Sequence, residues 1–95
     1  MSMEGEMMDR SEVLSKAAEL ISGDRQATYG DATEMHQLIG DLWSAYLGVE
    51  VGAVDVAALM VLMKVARSKG PRKHADNFVD ICGYAALACE MQEGY

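Results

Sequence analysis

The chain has 95 residues, 51% of them hydrophobic, with a formal charge of −7 and a pI near 4.6. That length makes one small domain. The acidity excludes a role built on gripping the DNA or RNA backbone as a polymer, which needs a basic face to displace counterions.

Residues 1–8 hold four of the eight methionines together with Glu4 and Glu6, and they read as a flexible tail before a single helical domain over 9–95. They lack the basic region and apolar run of a signal peptide. The longest apolar run, Val56 to Met63, falls far short of the roughly 20 residues that span a membrane. The expectation is a soluble, cytoplasmic protein without a membrane partner. An apolar share this large in so short a chain also predicts a homo-oligomer.

With one proline and no sustained apolar–polar alternation, the chain predicts an all-α, single-domain four-helix bundle. The first helix runs from about Ser11 to Ile21, with Val13, Leu14, Ala17, Ala18 and Ile21 at helical spacing. Asp9 and Glu12 resemble a capping box at its start, and Gly23 is a natural stop. The polar loop 23–31 follows, read either as a plain connector or as a segment that closes over a ligand, with Arg25 on a phosphate and Tyr29 stacking on a base.

The second helix, about Ala32 to Leu47, carries an apolar stripe of Met35, Leu38, Ile39, Leu42, Trp43 and Tyr46. Asp31 is positioned as its N-cap and Gly48 as its stop. His36 falls at the edge of that stripe, where a histidine is more often structural than functional.

The third helix, about Val54 to Ser68, is apolar nearly all round, which predicts burial on most sides. Gly70-Pro71 closes it. The fourth, about Ala75 to Gln92, has Asp80 as its only formal charge between Asn77 and Glu90. Helices three and four therefore read as the inner hairpin. Cys82 and Cys89, seven apart on the fourth helix, lie roughly 10 Å apart along its axis and read as reduced thiols.

Chemistry concentrates at the hairpin bend. Five of the eight Lys and Arg residues fall within ten positions, namely Lys64, Arg67, Lys69, Arg72 and Lys73. They lead into Asp76 and Asp80, one helical turn apart. Asp80 sits among apolar neighbours and needs a cation, because an unpaired buried carboxylate costs several kcal/mol. Its candidate partners are Lys64, Arg67, Arg25 or a metal ion.

Asp31 and Glu34 form a second acidic pair. Carboxylates from facing helices are a known way to hold Mg²⁺ together with substrate phosphates. Each feature has a structural alternative. Asp31 and Asp76 suit helix N-termini, Lys and Arg suit a helix C-terminus, and Asp80 suits a salt bridge.

Four elements in one order resemble a group of uncharacterised, phage-encoded helical domains. They are Gly-Asp-Arg-Gln…Tyr-Gly-Asp (23–31), Leu-Trp-Ser-Ala-Tyr-Leu-Gly (42–48), Met-x3-Lys-x2-Arg (60–67) and Asp-x3-Asp-x2-Gly-Tyr (76–84). The pattern is more distantly similar to nucleotide-modification-associated domains of phages and to MazG-type nucleoside triphosphate pyrophosphohydrolases. That likeness implies Mg²⁺ held by carboxylates of facing helices, cleavage of an NTP to NMP and pyrophosphate, and a dimer or tetramer. The remote family uses Glu-x2-Glu followed by Glu-x2-Asp. The nearest matches here are Asp31-x2-Glu34 and Asp76-x3-Asp80.

The resulting expectation is a nucleotide-handling protein of phage type. Glu34, Asp76 and Asp80 would hold the metal, Lys64, Arg67 and Arg25 the phosphates, and Tyr29 or Tyr84 the base. Two alternatives stand beside it: a module that sequesters a nucleotide without turning it over, and a structural or protein-interaction module. In the last, a Lys64/Arg67–Asp80 bridge bolts the hairpin.

Overall fold

The computed structural model describes residues 8–22, 31–70 and 74–92. Among them are four α-helices: α1 (Arg10–Ser22), α2 (Ala32–Leu47), α3 (Ala53–Ser68) and α4 (Ala75–Met91). They form an all-α, single-domain four-helix bundle. The α3–α4 pair is the most tightly packed, α1 lies on α4, and α2 lies on α3. The tail expected over residues 1–8 falls outside the described residues apart from Met8, as does the loop bearing Arg25 and Tyr29. Pro71, Arg72 and Lys73 of the basic bend also lie outside them.

Helix ends follow local chemistry closely. The backbone N–H of Asp9 donates to Glu12 Oε1 at 3.0 Å, and the N–H of Glu12 donates to Asp9 Oδ1 at 2.9 Å. This reciprocal capping box satisfies two donors that α1 would otherwise leave without partners. Gly48 ends α2 in the left-handed region at φ 76°, and its N–H donates to Ser44 O. A side chain is rarely tolerated there, and glycine meets no such penalty. Asp31 occupies the N-cap position of α2, but its side chain makes no capping hydrogen bond. The Gly52 N–H donates to Asp55 Oδ2 at 2.9 Å and starts α3.

The core is small. Ala17, Val51, Val56, Ala57, Val79 and Leu87 are its buried hydrophobic residues among those described, with Val56 and Val79 the largest side chains fully enclosed. Gly83 is buried where α4 meets α1, and a Cβ there would stand 3.3 Å from Ile21 Cγ2. The helices approach closely because that position has no side chain.

Two expectations from hydropathy fail here. The apolar stripe of α2 does not face the core. Met35, Leu38, Leu42 and Tyr46 are 41%, 51%, 60% and 89% exposed, while Ile39 and Trp43 are partly buried. The inner line of α2 is His36, Gly40 and Ser44 instead. A Cβ on Gly40 would lie 2.7 Å from Val51 O, so the α2–α3 connection passes directly against bare backbone.

Ser44 fastens that connection. Its hydroxyl donates to Gly40 O at 2.7 Å and accepts from the Val51 N–H at 2.8 Å. The second failure is α3, which is not buried on most sides. Val56 and Ala57 are enclosed, but Leu59, Leu62, Met63 and Val65 lie on an exposed face. An apolar helix in so small a bundle has too few neighbours to be covered all round.

Candidate functional site

A cleft of about 400 Å³ runs between the helices, and every one of the four contributes to its wall. Ala17 and Ile21 come from α1, Ile39 from α2, Met60 from α3, and Val79 and Leu87 from α4. Four polar side chains interrupt these apolar walls: His36, Lys64, Asp80 and Tyr84.

Asp80 is paired. Its Oδ2 lies 2.8 Å from Lys64 Nζ, with the side chains 29% and 14% exposed. The isolated carboxylate of α4 thus meets a cation from α3, which removes most of the cost of withdrawing either from water. Because the pair remains partly wetted, its own contribution to stability is modest, about 1 kcal/mol. Being on the cleft wall, both groups are also available to a ligand. Arg67, one turn along α3 from Lys64, is exposed.

His36 is the polar residue that sequence reading undervalued. It is 8% exposed, and Nδ1 lies 2.8 Å from Ala32 O. A carbonyl oxygen only accepts, so Nδ1 carries the proton of that bond. Nε2 is buried and has no hydrogen-bond partner among the described residues. A buried polar atom left unsatisfied costs about 1–3 kcal/mol. The ring packs against Tyr84, with centroids 6.0 Å apart and planes tilted by 57°. The available signal was the spacing of His36, Gly40 and Ser44 at four residues each. A glycine inside a helix costs about 1 kcal/mol against alanine and usually has a packing reason.

The other expected ligands lie apart from this set. Asp76 and Glu34 are exposed, and neither lines the cleft. Among the described residues no three His, Cys, Asp or Glu side chains group as a metal would require. Of the three carboxylates expected to hold Mg²⁺, the cleft therefore contains one, Asp80, already engaged with Lys64. The predicted substrate residues Arg25 and Tyr29 lie outside the described residues. Cys82 and Cys89 are free thiols. No helix among the described residues is long and apolar enough to cross a membrane.

Comparison with known proteins places these features in a phage setting. The chain is 47% identical over 81 residues to the Gene 55 protein of Mycobacterium phage L5, covering 84% of this chain and 52% of that protein. It is 47% identical, also over 81 residues, to the Gene 55 protein of Mycobacterium phage D29, covering 85% and 54% respectively. The chain thus spans about half the length of these curated relatives. No solved structure matches it significantly. Through residues 12–92, which take in most of the helical bundle, the chain belongs to the family described as a domain of unknown function, DUF6378.

Proposed function

We propose that this domain is a phage-type nucleotide-binding module, with the base seated in the central cleft and the phosphates directed towards Lys64 and Arg67. The cleft is the observation that carries this reading. It offers about 400 Å³ of mainly apolar wall with a few convergent polar groups, the usual make-up of a small-molecule site. The resemblance of the Tyr-Gly-Asp, Lys-x2-Arg and Asp-x3-Asp-x2-Gly-Tyr segments to phage nucleotide-handling domains supplies the ligand class.

Capture is favoured over turnover. Pyrophosphohydrolysis of the MazG type needs several carboxylates on a shared Mg²⁺, and here neither Glu34 nor Asp76 lines the cleft that holds Asp80. The test is a thermal-shift screen of the common NTPs and dNTPs, each with and without Mg²⁺, run beside an assay for released pyrophosphate. Ligand at about ten times its Kd stabilises by about 1.4 kcal/mol, or roughly 6 °C for a domain of this size. A shift without pyrophosphate supports the binding module. Pyrophosphate release that Asp80→Asn abolishes supports the hydrolase instead, and no shift with any nucleotide removes both.

A second reading concerns assembly, and it rests on the outward stripe of α2. Leu38, Leu42 and Tyr46 recur every four residues along α2 and form an exposed apolar ridge of the kind that packs into the groove of another helix. In this reading a second copy of the chain covers the stripe, burying side chains that a monomer leaves in water. Sedimentation equilibrium checks it, with a dimer expected and a monomer at high micromolar concentration contradicting it.

A further inference from the structure

We infer that Asp80 grips the sugar of the bound nucleotide, its carboxylate accepting hydrogen bonds from the 2′- and 3′-hydroxyls, so that the ligand is a ribonucleotide. The inference rests on the nucleotide-binding reading above and adds to it the choice of sugar. Position along the α3–α4 hairpin carries it. Lys64 and Asp80, joined at 2.8 Å, stand near the end of α3 and the start of α4. Met60, one turn back along α3, and Tyr84, one turn on along α4, line the cleft with them. Arg67 lies one turn from Lys64 in the other direction, exposed and outside the cleft wall. A helical turn advances about 5.4 Å, close to the length that a furanose ring puts between a base and its 5′-phosphate. A base against Met60 and Tyr84, with phosphates towards Arg67, therefore sets the sugar level with Asp80.

The chemistry of the pair suits that position. A carboxylate accepts without donating, and its two oxygens can take two neighbouring hydroxyls together. Lys64 Nζ meets Oδ2, which leaves Oδ1 and a second lone pair of Oδ2 for a ligand. The Asp80 side chain is 29% exposed, so a ligand in the cleft reaches it. The Lys64 ammonium carries three N–H groups, enough to hold the carboxylate and a phosphate at once and to offset the charge between them. Asp80 is the only carboxylate among the described residues that line the cleft. Acidic side chains hold ribose hydroxyls in the same way in dinucleotide-binding folds. A 2′-deoxynucleotide leaves part of this acceptor without a partner, and sites built to hydrogen-bond a hydroxyl strongly reject analogues that lack it.

The test is calorimetric titration of the full chain, wild type and Asp80→Ala, with ATP, GTP, CTP and UTP, each beside its 2′-deoxy counterpart. The readout is the ratio of the two affinities, in which a general loss from a displaced Lys64 cancels. For the nucleotide that binds most tightly, wild type is expected to favour the ribose form about tenfold, and Asp80→Ala to bring the ratio within about twofold. A wild-type ratio near one, a preference for the deoxy form, or a preference that Asp80→Ala leaves in place overturns the inference while nucleotide binding stands. Absence of binding in every wild-type titration overturns the nucleotide reading itself. Should Asp80→Ala fail to fold or to bind, Asp80→Asn serves in its place. Its amide keeps the shape with one acceptor oxygen instead of two and should lower the ratio to about threefold. An unchanged ratio in that variant also overturns the inference.

Discussion

The two faces of α2 invert what hydropathy assigns to them. Leu38, Leu42 and Tyr46 stand in solvent, Met35 and Ile39 reach the cleft wall, and His36, Gly40 and Ser44 lie on the inner side. The inner line works because it is small and polar in the right places. Gly40 admits the Val51–Gly52 backbone, Ser44 binds that backbone by hydrogen bonds, and His36 turns a ring into the cleft. The outer line is apolar without a partner among the described residues. Close approach decided which face went inside, and the apolar stripe became the surface left over.

The contrast is sharpest where backbone meets backbone. Gly40→Val should destabilise the fold by about 3 kcal/mol, because its Cβ begins 2.7 Å from Val51 O and neither backbone can give way. The midpoint of urea unfolding checks it. Val56→Ala, at a side chain with 0% exposure, should cost about 2 kcal/mol in the same assay. Ser44→Ala removes the hydroxyl shared by Gly40 O and the Val51 N–H and should cost about 1–2 kcal/mol. Lys64→Met should cost about 1 kcal/mol, since the Asp80 carboxylate it abandons can still reach water.

At the outer face, Leu42→Ala should change monomer stability by less than about 0.5 kcal/mol. Leu42→Glu, in contrast, should shift the sedimenting mass to that of a monomer. A loss on Leu42→Ala comparable to that on Val56→Ala in a dilute monomer would erase the distinction between the two faces.

Much of the fold was legible because its signals are local. The Asp9/Glu12 capping box, the Gly48 stop and the helix limits follow from residues a few positions apart. The Lys64–Asp80 pair was among the expected solutions for a different reason: a lone carboxylate in an apolar helix has to find a cation, and the preceding helix offered two. The orientation of α2 was not legible. Its stripe scores as a core face by periodicity, whereas the true contact depends on Gly40 meeting a loop eleven residues later. The outward face of α3 was hidden for a related reason, since an apolar helix gives no sign of how many neighbours it will have. His36 escaped notice as a cleft residue because its burial is set by α2's orientation. Asp76 and Glu34 carry the right chemistry for a metal but lie on exposed faces, which spacing along the chain does not reveal.

The central claim is that the four-helix cleft, rather than the outer face of α2, is where a nucleotide is taken up. An NMR titration of the ¹⁵N-labelled protein with the nucleotide that raises its melting temperature most tests this directly. The account predicts that amide shifts concentrate at Ala17, His36, Gly83 and Tyr84 around the cleft while Leu38 and Leu42 stay still. Shifts centred on Leu38, Leu42 and Tyr46, with Gly83 and His36 unmoved, would contradict it.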